Sequence, residues 1–163
     1  KKVYMPKYLF VISRVFSSFI NLLASFTALL VVMIATRAEL HWKVVFAVIP
    51  LGFIVVFSLG VGLLLSALVV KFRDIMHLYS VFITALLYLT PVIYPMSSLP
   101  YWMQKVVGLN PITNILMMFR DVMLYDNFPN LSSILIATIE SLAALGIGVY
   151  VFYKKQDEFI LNI

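Results

Sequence analysis

The side chains able to do acid–base or metal chemistry are few, and their spacing keeps them apart. The 163 residues hold two histidines, His41 and His77, and seven acids, Glu39, Asp74, Asp121, Asp126, Glu140, Asp157 and Glu158. His41 and His77 are separated by an uncharged apolar run from Val44 to Val70. A helix through that run puts them on opposite sides of whatever it crosses, so they cannot share a metal ion. The only adjacent acids, Asp157 and Glu158, lie close to the end of the sequence. No His-Glu-x-x-His and no Gly-x-Ser-x-Gly occurs, and none of the six glycines opens a phosphate-binding Gly-x-x-x-x-Gly-Lys-Ser/Thr loop. With no cysteine there is no thiolate nucleophile, thiolate metal site or disulfide framework. These residues predict no catalytic, metal or cofactor site on this chain.

The polar residues that do recur fall at helical spacing inside apolar runs. Ser13, Ser17, Asn21 and Ser25 follow one another at intervals of four, as do Ser58, Gly62 and Ser66. His77, Ser80, Thr84 and Tyr88 form a third stripe, and Ser133, Ala137, Ser141, Ala144 and Gly148 a fourth. Such spacing puts each set on one helix face. Small faces let helix backbones approach in lipid, where apolar burial contributes little to association. Packing is therefore the expected role of the second and fourth stripes. The third carries larger polar groups and runs into a proline-rich segment, so it is a candidate pathway lining. Glu140 is the one acid inside an apolar run. An ionised carboxylate there costs at least ~2.5–3.5 kcal/mol, so it needs a partner or water. A structural hydrogen bond is the simpler reading, a proton relay the alternative.

The elements that position these residues are long apolar runs. Residues 9–36 contain one charge, Arg14, residues 44–70 and 78–94 none, and residues 131–153 only Glu140. A run of ~20 residues crosses a ~30 Å hydrocarbon core at ~1.5 Å per residue. Apolar residues make up 63% of the chain and charged ones 12%, against roughly 45–50% and about 25% in soluble domains. Lipid is therefore the solvent, and the expected fold is an all-α polytopic membrane protein with spans at about 9–36, 44–70, 75–94 and 131–153. The net charge of +5 does not predict nucleic-acid binding, because the basic residues are divided among loops. Lys1, Lys2, Lys7, Arg14, Lys71, Arg73, Lys154 and Lys155 fall on one side, and Arg37, Lys43, Lys105 and Arg120 on the other. The positive-inside rule then predicts both ends of this sequence to be cytoplasmic. The run at residues 9–36 is too long for a signal-peptide apolar region of ~7–15 residues, and the start Lys1-Lys2-Val3 suggests a piece of a longer polypeptide.

Residues 95–130 differ in kind. Pro91, Pro95, Pro100 and Pro111 prevent any continuous helix, yet residues 101–109 and 112–125 stay apolar apart from Gln104, Lys105, Asn114, Arg120 and Asp121. Residues 78–91 make only ~21 Å of helix at ~1.5 Å per residue, so that span must begin near Asp74. Short broken helices dipping back from the outer face are expected next. Irregular backbone at membrane depth is tolerated only when buried in protein or lining a wet cavity, which points to a route for something polar. Two helices lying flat on the outer leaflet are the alternative.

Several stretches taken together resemble one family. They are Lys71-Phe72-Arg73-Asp74, Thr90-Pro91-Val92-Ile93-Tyr94-Pro95, Leu99-Pro100, Leu109-Asn110-Pro111, Phe119-Arg120-Asp121 and the segment from Phe152 to Phe159. Their order and spacing resemble the type-2 ABC transporter permeases, in the branch exporting O-antigen, teichoic acid or capsule-like polymers. Met5-Pro6-Lys7-Tyr8 looks like the cytoplasmic entry to that family's third span. The resemblance implies six spans per subunit, of which this chain supplies the C-terminal four. It also implies a bacterial cytoplasmic-membrane permease working as a homodimer with separate ATPase subunits that use ATP and Mg. Loops at Met5–Tyr8 and Lys71–His77 would dock on the ATPase. The outer gate and pathway would involve Ser80, Thr84, Tyr88, Pro91, Tyr94, Pro95, Tyr101, Trp102, Asn110, Pro111, Arg120 and Asp121. The expected cargo is a lipid-linked polysaccharide or glycolipid. A drug or other small amphiphile is the alternative cargo, and a membrane enzyme acting on a lipid-linked sugar is the alternative class.

Overall fold

The computed structural model describes residues 7–37, 41–71 and 75–155. Among them every regular element is helical. Helix α1 is Lys7–Ala35, α2 is Val48–Lys71, α3 is Ile75–Leu89, α4 is Tyr101–Gly108, α5 is Pro111–Met123 and α6 is Leu131–Lys155. Short 3-10 segments at Trp42–Ala47 and Met96–Ser98 lead into α2 and α4. Segments Tyr8–Ala35, Trp42–Val69 and Leu131–Lys155 are long and apolar enough to cross a bilayer. Their outward faces carry large exposed apolar side chains such as Phe10, Phe16, Ile34 and Ile139, which is the surface lipid requires. This is an all-α, multi-pass membrane protein.

Helices α2 and α6 form the tightest pair, and they run parallel. Ser141 Oγ donates to the carbonyl of Phe53 at 3.3 Å, Gly60 lies against Ala144 and Gly148, and Ala67 packs on Phe152. A Cβ on Gly60 or on Gly148 would run into backbone of the opposite helix. The small stripe of α6 is thus a packing face, as expected. Its partner face on α2 is not Ser58–Gly62–Ser66 but the one bearing Phe53, Gly60, Leu63 and Ala67.

Helix α5 is wedged against this pair. Ile115 and Met118 pack with Ile49, Phe53 and Ile54 of α2 and with Ile134 and Ala137 of α6. Further along, Val122 and Met123 meet Met33 of α1 and Ala47 of the 3-10 turn, and Phe119 meets Phe26 edge-on at 6.2 Å. Thus α5 runs antiparallel to α2, with its first residues about halfway down that helix. Helix α3 contrasts with it: between His77 and Leu89 only Leu86 is not exposed.

Two boundaries differ from the sequence expectation. Helix α3 stops at Leu89 and does not continue to residue 94. Pro91 lacks the N–H that would extend the ladder and disfavours helical backbone at Thr90. The chain turns there, with Thr90 N–H donating to Leu86 and Val92 N–H to Thr90. The second span opens through a 3-10 turn, with Pro50 buried in the first turn of α2, where no intrahelical donor is lost.

Candidate functional site

Asn110-Pro111 organises the segment between α3 and α6. Asn110 is the N-cap of α5, in extended backbone at φ −78° and ψ 119°. Its Oδ1 accepts from the Ile112 N–H at 3.1 Å, satisfying one of the helix's orphan donors. Pro111 follows at the first helical position, where its missing N–H costs nothing. Since Oδ1 faces an N–H, the other amide atom must be Nδ2, and it donates to Thr90 Oγ1 at 3.0 Å in a buried bond. Thr90 and Asn110 are 4% and 8% exposed, and Pro91 is fully buried beside them. At the far end of α5, Arg120 Nη2 donates to the Val92 carbonyl at 2.8 Å. Both ends of α5 are therefore tied to the three residues that follow α3. Helix α4 is set by Pro100 at its N-cap and by Gln104, whose Nε2 donates to the Leu99 carbonyl at 2.8 Å.

A groove of about 690 Å³ opens between α1, α2 and α3. Arg14, Leu65 and Tyr79 line one end, and Leu22, Ile54, Leu86 and the Asn110–Ile112 tip line the other. Ser58 and Gly62 face it, which is where the small stripe of α2 is used. Gly62 also gives Val11 of α1 room to approach. Among the described residues Arg14 has neither hydrogen bond nor ion pair.

The expected pathway residues divide into two groups. Thr90–Pro91, Asn110–Pro111 and Arg120 join one another as above. Ser80, Thr84 and Tyr88 lie exposed along α3. There Ser80 Oγ donates to the His77 carbonyl at 2.7 Å and Thr84 Oγ1 to Ser80 at 2.9 Å, so these hydroxyls are satisfied within their own helix. Tyr94 is pinned by its hydroxyl, which donates to the Tyr88 carbonyl at 2.6 Å. Pro95 caps the second 3-10 turn. Tyr101 and Trp102 are exposed on α4, with Lys105 Nζ 4.7 Å from the Tyr101 ring centre. Arg120 and Asp121 face different surroundings. The partner of Arg120 is the connection after α3, while the Asp121 side chain has no partner among the described residues. Partial burial raises the Asp121 carboxyl above the usual aspartate value. Glu140 is half-buried in α6, and its Oε2 is enclosed without a donor among the described residues.

Of the expected docking loops, Met5, Pro6, Phe72, Arg73 and Asp74 lie outside the described residues. Lys7 and Tyr8 open α1 and Lys71 closes α2, so both loops adjoin one end of the bundle, the end that also holds Lys154 and Lys155.

Sequence reasoning missed a latch at the opposite end. Lys43 Nζ donates to the carbonyl and Oδ2 of Asp126 at 2.7 and 3.0 Å and sits 4.9 Å from the Phe128 ring centre. Trp42, Phe46 and Phe128 form an edge-on trio around it, with centroids 5.5–5.8 Å apart. Asp126 adopts φ 48°, a region aspartate tolerates better than most residues. The partners are 83 residues apart, and no local pattern signals such a pair. The Asn110 cap was not read from the sequence either, although Asn followed by Pro is a signal for it.

The chain is 24% identical over 164 residues to the O-antigen export system permease protein RfbA of Myxococcus xanthus, covering 99% of this chain and 63% of that relative. Two Klebsiella pneumoniae proteins of the same name are 23% and 24% identical over 161 residues, covering 98% of this chain. The chain spans 61–63% of the length of these curated relatives. Residues 1–124 match the family model described as ABC-2 type transporter. With that match covering most of its length, the chain belongs to the ABC-2 type transporter family.

Proposed function

We propose that this chain is part of the permease subunit of an ATP-driven exporter that moves a lipid-linked polysaccharide across the cytoplasmic membrane. The observation that carries this reading is the nearly end-to-end similarity to three O-antigen export permeases. The geometry supports it: broken helix α5 is packed against α1, α2 and α6, where short helices joined by irregular backbone are tolerated beside protein or a wet cavity, and α4, largely exposed, is joined to it. In this reading the bundle end carrying Lys71, Lys154 and Lys155 is cytoplasmic. A separate ATPase chain docks there on Met5–Tyr8 and Lys71–Asp74 and consumes ATP and Mg. A second copy of the permease completes the route. Exposed Tyr88, Tyr101 and Trp102, with Tyr94 bonded to the Tyr88 carbonyl, offer flat faces along which sugar rings slide without fixed hydrogen bonds.

The test is complementation with the full-length subunit. In a strain lacking its own O-antigen permease, expression with the cognate ATPase should restore polysaccharide at the cell surface and clear the lipid-linked polymer held inside. Unchanged internal accumulation, with the protein inserted and the ATPase present, would exclude this cargo. Restored resistance to a small amphiphile in place of surface polymer would assign the alternative cargo.

A further inference from the structure

Helix α3 is attached in an unusual way. From His77 to Leu89 its side chains are exposed apart from Leu86, so little packing holds its length to the bundle. The residues just beyond it are the opposite. Thr90 and Pro91 are buried, Thr90 Oγ1 accepts from Asn110 Nδ2 at 3.0 Å, and the Val92 carbonyl accepts from Arg120 Nη2 at 2.8 Å. Within the described residues α3 is thus joined to the bundle chiefly at its C-terminal end, and that junction is where a tilt of α3 reaches α5.

We infer that the Thr90–Asn110 hydrogen bond, braced by Arg120 on Val92, is the pivot through which tilting of α3 moves the α4–α5 hairpin. Three features support the assignment. The bond is buried, so neither group finds water when it breaks, which makes the junction costlier to open than an exposed bond. Asn110 also caps α5 through Oδ1, and Pro111 confines its backbone to extended values. The amide therefore moves with the α5 backbone and not as a loose side chain. Finally, one bond alone would let α5 swivel, whereas ties at Asn110 and at Arg120, near its two ends, fix its angle to the α3 terminus. Thr90 and Asn110 are thus positioning residues, not groups that touch cargo. The inference rests on the proposed export function for the origin of the push, an ATPase acting beyond Lys71, but not on the identity of the cargo.

The experiment uses the full-length subunit assembled with its ATPase in lipid nanodiscs. Leu124, exposed at the C-cap of α5, is changed to cysteine as a reporter, and these 163 residues contain no other cysteine. Its labelling by a membrane-impermeant maleimide is followed with and without ATP, alongside ATP hydrolysis. With Thr90 and Asn110 in place, ATP should change the labelling rate severalfold. Thr90→Val, which keeps the shape and removes the acceptor, should abolish that change while hydrolysis continues. Thr90→Ser should retain it. Asn110→Ser, still a cap but too short to reach, should match Thr90→Val, and the double variant should be no worse than either single one. An ATP response that survives in Thr90→Val, or losses that add in the double variant, would overturn the pivot. So would the absence of any response in the unmodified pair. Failure of the export reading appears separately, as missing surface polysaccharide in the complementation assay, while this labelling pattern persists.

Discussion

Gly60 of α2 and Gly148 of α6 meet backbone against backbone, with no side chain between them, at the crossing of the two parallel helices. Only hydrogen fits at either Cα without moving the opposite main chain. Gly148→Val should therefore destabilise the protein by about 1–3 kcal/mol, the usual range for overpacking, or more because backbone must shift. Thermal unfolding in detergent measures this. Gly146, whose Cβ would meet nothing within 4 Å, is the control, and Gly146→Ala should be neutral or slightly stabilising. Equal behaviour of the two would mean the crossing is looser than described.

The latch at the opposite end separates charge from backbone shape. Asp126→Asn keeps an acceptor for Lys43 and tolerates φ 48°, so its cost should stay within the ~0.2–1 kcal/mol of a partly exposed ion pair. Asp126→Val loses the carboxylate acceptor, keeping only the backbone carbonyl for Lys43, and places a β-branched residue at positive φ, where strain adds ~1–3 kcal/mol. A clear gap between the two in unfolding midpoint is expected. Asn as damaging as Val would show that charge, not backbone, dominates.

Asp121 predicts a pH dependence of defined sign. Burial raises its carboxyl above the ordinary value, so the folded protein holds that proton more tightly than the unfolded chain does. The favourable contribution is complete below the unfolded aspartate value and is lost as pH rises through the raised folded one. At neutral pH ionised Asp121 therefore opposes folding, and Asp121→Asn should be neutral to stabilising there. The advantage should shrink as pH falls into the carboxylate range. A variant less stable at pH 7 than at pH 4, relative to the unmodified protein, would reverse the sign.

Phe72 and Asp74 carry the proposed ATPase contact. A solvated turn needs basic residues but has no use for an aromatic anchor flanked by both charge signs. Replacing Phe72 and Asp74 together with alanine in the inserted full-length protein should reduce both copurification with the ATPase and export. If neither changes, the loop is only a turn.

Cysteines at Tyr88, Tyr94, Tyr101 and Trp102, introduced one at a time, should react with a water-soluble thiol reagent if these rings border the route. Tyr94 should react most slowly, because it is less exposed than the other three. Uniform inertness would return them to ordinary interfacial anchoring.

Most of the fold was legible because lipid imposes simple rules. Long apolar runs and basic flanks defined α1, α2 and α6, and proline punctuation marked a broken segment between the third and fourth spans, though that segment begins after Leu89, five residues earlier than expected. The missing information was relational. The pattern Ser58–Gly62–Ser66 marked a small face on α2 correctly, but periodicity cannot say which neighbour a face meets, and the groove claimed it instead of α6. Asn110 was visible as a motif residue, whereas its bond to Thr90 spans twenty residues and depends on how α5 folds back. The same limit hid Lys43 and Asp126.

The exposed length of α3 has a consequence for how stability is distributed. Backbone opening is least costly where few side chains must be unpacked, and most costly in cooperative units with dense contacts. Amide hydrogens in α2 and α6, locked at Gly60 and Gly148, should exchange with the slow global rate. Those of α3 should exchange sooner only where its face meets water, because opening a helix in lipid leaves backbone groups unpaired. Within these residues the rigid frame is thus the α2–α6 pair, while the position of α3 is set mainly at its buried end, Thr90–Pro91.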